Sequence, residues 1–219
     1  MKNLHSPLTL LILAAAIALA ACTGNPQAQA QEPAPDDISQ AQLQNIFTRA
    51  SVRQYQKKAV EADKIETLLR AAMSAPTAMD RRPWHFIVVT DTTVLKQLDA
   101  TNPHAGMLSS APLAIVACGD MNKAIEGPGR DFWIQDLSAA SENILLAANA
   151  LGLGAVWTGG YPAQDRCDNI TKVLNLPETL IPLNIIVIGY PLTEPTPKDK
   201  WDPANISYNH YGQTPDTEN

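Results

Sequence analysis

Two runs in the second half of this chain leave little freedom about its interior. Leu113–Gly119 (LAIVACG) has no polar residue inside it, and Leu183–Tyr190 (LNIIVIGY) has one, Asn184. Runs this short, apolar and rich in β-branched residues read as strands of buried character. Two further short strands are expected at Phe86–Thr90 and Ala155–Thr158, the latter ended by Gly159-Gly160. Between them the apolar spacing changes to the helical period. Ile38–Thr48 reads as a short helix, and Ala62–Ser74 sets Ile65, Leu68, Leu69, Ala72 and Met73 on one face before Pro76 ends it. A small helix follows near Thr93–Ala100, the longest covers Arg130–Leu151, and another covers Asp165–Leu174. Alternation of the two periods indicates a mixed α and β domain. Hydrophobic residues make up 45 % of the chain and charged residues 17 %, enough apolar content to close a core.

The first 37 residues are of another kind. Lys2 and His5 precede an apolar run from Leu8 to Ala21, too short for a comfortable membrane span, so residues 1–21 read as a secretion signal. The run ends in Leu19-Ala20-Ala21-Cys22, which resembles the bacterial lipobox and makes Cys22 the expected lipid acceptor. An ordinary cleavage site with an incidental cysteine is the other reading. Thr23, rather than aspartate, follows the cysteine and favours the outer membrane, so the expected location is the cell envelope, lipid-anchored. Residues 22–37 carry Gln, Ala and Pro but no large apolar anchor, and read as a flexible tether. Residues 38–219 form the expected single domain.

A net charge of −6 gives no electrostatic reason to bind nucleic acid. Cys118 and Cys167 fall in a strand and a helix and read as packing residues; without CxxC or a His/Cys cluster, no metal site is expected.

Three segments could carry chemistry. Arg49-Ala50-Ser51-Val52-Arg53 places two guanidiniums and a hydroxyl within five residues, suited to a phosphate, although alone it reads better as a solvated basic loop. Ala75–Trp84 (APTAMDRRPW) is closed by two prolines between a helix and a strand, so its backbone is excluded from both. Gly152–Gly160 (GLGAVWTGG) is glycine-rich, but it follows a helix and precedes a strand, the reverse of a dinucleotide fingerprint. Gly159-Gly160 instead suits close backbone approach to a ligand.

Taken in order with IGYP at 188–191 and KDK at 198–200, these segments resemble the nitroreductase family. The resemblance spans about residues 46–203. It implies an α+β fold, a three-layer α/β/α sandwich on a mixed, largely antiparallel sheet, and a homodimer with one FMN in each of two shared clefts. It maps the FMN phosphate and ribityl chain onto Arg49, Ser51, Arg53, Lys198 and Lys200. Pro76, Thr77, Ala78 and Asp80 map onto the loop that reaches the flavin ring from the partner, and Gly159 and Gly160 onto amides at its N5 and O4 edge. Asp136, on the long helix, is a further candidate for a polar contact to the cofactor. Asp80 and Arg82 stand where the family usually has asparagine and glutamine. A carboxylate only accepts hydrogen bonds, so an arginine neighbour is expected to pair with Asp80.

The implied activity is an FMN-dependent oxidoreductase working by ping-pong from NADH or NADPH, or from a membrane-linked donor, to a small nitro, quinone or flavin-like acceptor. FMN-dependent dehydrogenase or dehalogenase activity, and a lipid-anchored flavin-binding protein with little turnover, are the rival readings. Trp84, Trp133 and Trp157 read as core or interface residues rather than pocket walls.

Overall fold

A computed structural model describes residues 35–102 and 106–214, so the signal, Cys22 and most of the tether lie outside the described residues. The chain divides into a short unit, Met1–Ile38, and a main unit, Ser39–Asn219. The order of elements is α1 (Pro35–Thr48), α2 (Ala62–Met73), β1 (Trp84–Val89), α3 (Thr92–Asp99), β2 (Leu113–Asp120), α4 (Phe132–Ala150), β3 (Gly154–Gly159), α5 (Gln164–Leu174) and β4 (Leu180–Gly189). Every expected helix and strand is present, with ends moved by a few residues. Helix α1 starts at Pro35, three residues inside the span read as tether.

The sheet runs β1-β2-β4-β3 and every neighbouring pair is antiparallel. A parallel bridge from Ser51 to Ala155, outside the named strands, adds the mixed character at the β3 edge. Strand alternation builds two cores. Leu113, Ile115 and Ala117 of β2, with Ile186 and Ile188 of β4, pack against Leu68 and Ala72 of α2 and Leu137, Ala140 and Ile144 of α4. On the other face Ala114, Val116 and Cys118, with Ile185 and Val187, meet Leu95 and Leu98 of α3 and Ile170 of α5. This is the three-layer α/β/α sandwich. Each fully buried leucine or isoleucine contributes roughly 1.5–3 kcal/mol, and both central strands are lined with them.

Pro182 lies within β4, a central strand, where it has no N–H to give the ladder. The register slips between Ala117 and Cys118 opposite it, so the irregularity falls where the donor is missing.

The segment after α1 is fastened to the open edge of β3. Val52 N–H donates to Ala155 O at 3.1 Å, and Gly154 lies so close that a Cβ there would meet Val52 Cβ at 2.7 Å. The Tyr55 hydroxyl, on a buried ring, donates to Val52 O at 2.6 Å with Val187 O at 3.1 Å. Burial holds that phenol neutral, with its pKa well above the ordinary tyrosine range.

Candidate functional site

Fastening residues 51–52 to β3 leaves Arg49, Ser51 and Arg53 beside the extended tail that leaves β4. The result is a cleft of about 400 Å³ lined by Arg49, Ser51, Arg53, Glu194, Lys198 and Lys200, among others. Residues about 150 positions apart in sequence thus share one wall. Four cations against a single carboxylate make this cleft an anion site by charge alone. Arg49 is oriented from outside: its Nε sits 3.0 Å from Glu142 Oε1 on α4, which fixes the guanidinium while leaving its other nitrogens available.

A second cleft, about 220 Å³, adjoins the first through Arg53, which lines both. Its other walls are Asn102, Met107, Val156, Trp157, Thr158, Gly159 and Arg166. The end of β3 provides its floor. Successive residues of a strand direct their N–H and C=O groups to opposite edges. Ala155 O faces the Val52 segment, so the Gly159 backbone groups face the same way, away from β4. Gly159 O accordingly accepts from Asn102 Nδ2 at 3.5 Å and Arg166 Nη1 at 3.4 Å, and the space where a Cβ would stand is open to 4 Å.

Gly160, paired with Gly159 in the sequence reading, faces inward. Its N–H donates to Leu183 O at 2.9 Å, and a Cβ on it would meet Pro182 O at 2.9 Å. Of the two glycines, Gly159 lines the second cleft and Gly160 packs against β4.

Asp136, the candidate on the long helix, is held within the chain. It is 7 % exposed on α4, and its Oδ1 accepts from Ala78 N–H at 2.9 Å. Its partner is therefore the backbone of the Pro76–Asp80 segment. Burial pushes its pKa up, and the Ala78 hydrogen bond offsets part of that. The segment needs such a hold, because Met79, Asp80 and Arg82 all have left-handed φ values of 54°, 52° and 50°. Thr77 Oγ1 adds a hydrogen bond from Arg82 N–H at 3.1 Å. Asp80 is paired as the sequence required: Arg82 Nε and Nη2 approach its two oxygens at 2.7 and 2.5 Å, holding the carboxyl below its ordinary pKa. Pro76, Thr77, Ala78 and Asp80 line neither cleft.

The tryptophans divide. Trp84 and Trp133 are buried, the latter edge-on to Tyr161 at 5.1 Å, whereas Trp157 is exposed at the second cleft.

Two comparisons decide the family. The sequence profile of the Nitroreductase family matches residues 46–105 and 94–190. A protein of Methanothermobacter thermautotrophicus, provisionally named an NADH dehydrogenase/NAD(P)H nitroreductase, is 46 % identical over 164 residues, 75 % of this chain and 84 % of its own. The chain belongs to the nitroreductase family. The fold agrees: a crystal structure from Bacteroides thetaiotaomicron with the same provisional name has a TM-score of 0.74 at 48 % identity, covering 78 % of this chain and 98 % of its own. An FMN-dependent nitroreductase from Clostridium difficile has a TM-score of 0.71 at 31 % identity, covering 77 % and 99 %.

Within this nitroreductase several residues were not singled out by sequence: Glu142 behind Arg49, Tyr55 under the basic segment, and Asn102 and Arg166 around Gly159. Only Arg166 leaves a trace in the sequence. It stands in the first turn of α5, where the helix dipole disfavours a cation.

Proposed function

We propose that this nitroreductase is an FMN-dependent oxidoreductase that accepts electrons from NAD(P)H and passes them, in separate half-reactions, to nitro, quinone or flavin-like acceptors. The observation that carries the reading is the convergence of Arg49, Ser51 and Arg53 with Lys198 and Lys200 on one cleft that continues through Arg53 to Gly159. That donor set fits FMN. Four cations and a hydroxyl suit its phosphate, and the open space beside Gly159 suits a flat ring pressed against backbone. FMN, when bound, supplies the two-electron chemistry. The chain's own residues do the rest. Arg49, Arg53 and the two lysines would neutralise phosphate charge, and the outward Gly159 N–H would offer the ring a hydrogen bond that tunes its potential. The names of the relatives support both partners, one being an FMN-dependent nitroreductase and another carrying NAD(P)H in its name.

The same reading makes the functional unit a homodimer. Pro76–Asp80 lies outside the two clefts described above, and its two left-handed residues, Met79 and Asp80, are exposed, as is the left-handed Arg82 that follows. This arrangement serves a ring held by a second copy. Leu43, Ile46 and Phe47 of α1 and Trp201 of the tail are exposed apolar residues suited to that contact. The motif ending at Cys22 adds a lipid anchor in the cell envelope, where a membrane-linked donor is the alternative to NAD(P)H.

The deciding experiment is the visible spectrum of the purified protein lacking its signal, with FMN titration, followed by anaerobic stopped-flow reduction with NADH, NADPH and dithionite. Rapid bleaching of flavin absorbance by a nicotinamide is expected. A colourless protein that gains no flavin absorbance on adding FMN refutes the cofactor. Reduction by dithionite alone moves the electron source to another donor.

A further inference from the structure

Between α2 and β1 the chain holds Met79, Asp80 and Arg82, none of them glycine, in the left-handed region. Such strain persists only where the surroundings enforce it, and it gathers at functional surfaces. Here Asp136 Oδ1 accepts from Ala78 N–H at 2.9 Å, and Thr77 Oγ1 accepts from Arg82 N–H at 3.1 Å. The result is to close Arg82 on Asp80 as a fork. Nε donates to Oδ1 at 2.7 Å and Nη2 to Oδ2 at 2.5 Å, with the arginine side chain 64 % exposed and the aspartate 72 %. An ion pair this exposed contributes little to stability, so it does not offset the strain that forms it. What the closed fork presents is chemical. It is neutral overall and leaves carboxylate lone pairs beside guanidinium N–H groups, an acceptor next to donors. A carboxamide offers the same face, and asparagine and glutamine are the usual residues of the family at these two positions.

We infer that the closed Asp80–Arg82 pair tunes the flavin of a second copy, with Arg82 the positioning residue that keeps the Asp80 carboxylate from opposing reduction. This rests on the flavin and homodimer readings proposed above. The pyrimidine edge of a flavin alternates carbonyl acceptors with an N–H donor, so it is matched by a donor beside an acceptor; a carboxylate alone only accepts. The reduced ring also gains negative charge, which a bare carboxylate at contact distance in a covered site disfavours. The guanidinium answers both. Arg82 holds the carboxyl below its ordinary pKa, so protonation does not neutralise Asp80 and pairing must. Arg81, exposed between them, has no carboxylate within ion-pair distance among the described residues and serves as a charge control.

The test is a midpoint-potential titration of the FMN-loaded protein against a reference dye, for wild type, Arg82→Gln, Asp80→Asn, the double variant and Arg81→Gln. Binding of oxidised FMN to each apoprotein is the second readout. Asparagine tolerates the left-handed backbone, so Asp80→Asn leaves the loop its shape. Arg82→Gln should lower the reduced-to-oxidised ratio at fixed poise about tenfold, which is about 30 mV for a two-electron couple, and Asp80→Asn should raise it. The double variant should return close to wild type, because the carboxylate that Arg82 masked is gone. Oxidised FMN should bind every variant within about threefold of wild type, since the added ring charge appears only on reduction. Sedimentation of the holoprotein should give a dimer. Potentials unmoved by either single variant overturn the inference, as does a double variant left as low as Arg82→Gln. An Arg81→Gln shift as large as that of Arg82→Gln, a tenfold loss of oxidised FMN in Arg82→Gln, or a monomeric holoprotein overturns it too. A wild-type protein that takes up no FMN overturns the flavin reading and this inference with it; unmoved potentials in a protein that binds FMN overturn the inference alone.

Discussion

Asp136 offers the sharpest test of how the loop between α2 and β1 is held. Replacing it by alanine removes the acceptor 2.9 Å from Ala78 N–H at a position only 7 % exposed. Stranding that donor costs about 1–3 kcal/mol, while losing a buried carboxylate returns part of the cost of desolvating it. The net expectation is a loss of roughly 1–2 kcal/mol, or about 3–6 °C in Tm for a domain of this size. The local effect is larger than the global one. Three non-glycine residues in the left-handed region store about 1–2 kcal/mol each, so releasing one tether lets the loop relax elsewhere. Limited trypsin digestion reads this directly, because the Arg81–Arg82 bond is exposed and Pro83 protects the next one. Cleavage after Arg81 should quicken about tenfold in Asp136→Ala. Asp136→Asn keeps an acceptor and should stay close to wild type in both assays. The pH dependence carries a definite sign. The folded pKa of Asp136 is raised, so its favourable contribution is present in acid and lost as pH rises through that folded value; Asp136→Asn removes this slope. Equal damage from asparagine and alanine, or none from alanine, refutes the tether.

Other expectations follow from neighbouring contacts. Gly154→Ala drives a Cβ to 2.7 Å from Val52, so the basic segment should lift from β3, costing about 1–3 kcal/mol in urea unfolding and weakening FMN binding in the same titration. Glu61 accepts from the Tyr190 hydroxyl at 2.6 Å, chiefly for which its pKa is lowered from 4.5 to about 2. Its contribution is therefore present above pH 4.5 and disappears as pH falls toward 2, and Glu61→Gln should flatten that part of the Tm–pH curve. Cys118 and Cys167 are buried, and burial pushes the Cys118 thiol up to about 12. Neither should react with a thiol reagent at pH 8 until the protein unfolds; reaction of either in the folded state contradicts the packing.

Much of this molecule was legible because its signals are periodic or local. LAIVACG and LNIIVIGY became the two central strands, and the apolar stripe of Ala62–Ser74 became the buried face of α2. The basic segment and the late lysines were readable as an anion site only together, and their meeting in one cleft depends on long-range pairing. What could not be read is directional. Sequence placed Gly159 and Gly160 side by side as equals, but strand alternation turns one N–H to the cleft and the other to Leu183. Asp136 was visible as a carboxylate on a helix, yet its partner is a backbone group 58 residues away, which no side-chain pattern encodes. Asp80 was the reverse case. Electrostatics required a cation beside it, and Arg82 supplies one two residues on.

The bridge between Ser51 and Ala155 has a consequence beyond ligand binding. A terminal strand in a sheet is a template for any other extended chain, and β3 is one of the two terminal strands here. Residues 51–52 shield part of that rim, and they belong to the segment whose arginines face the clefts. Damage to this segment should therefore be seen first as self-association of a still-folded protein, with lost cofactor retention as its companion rather than its cause.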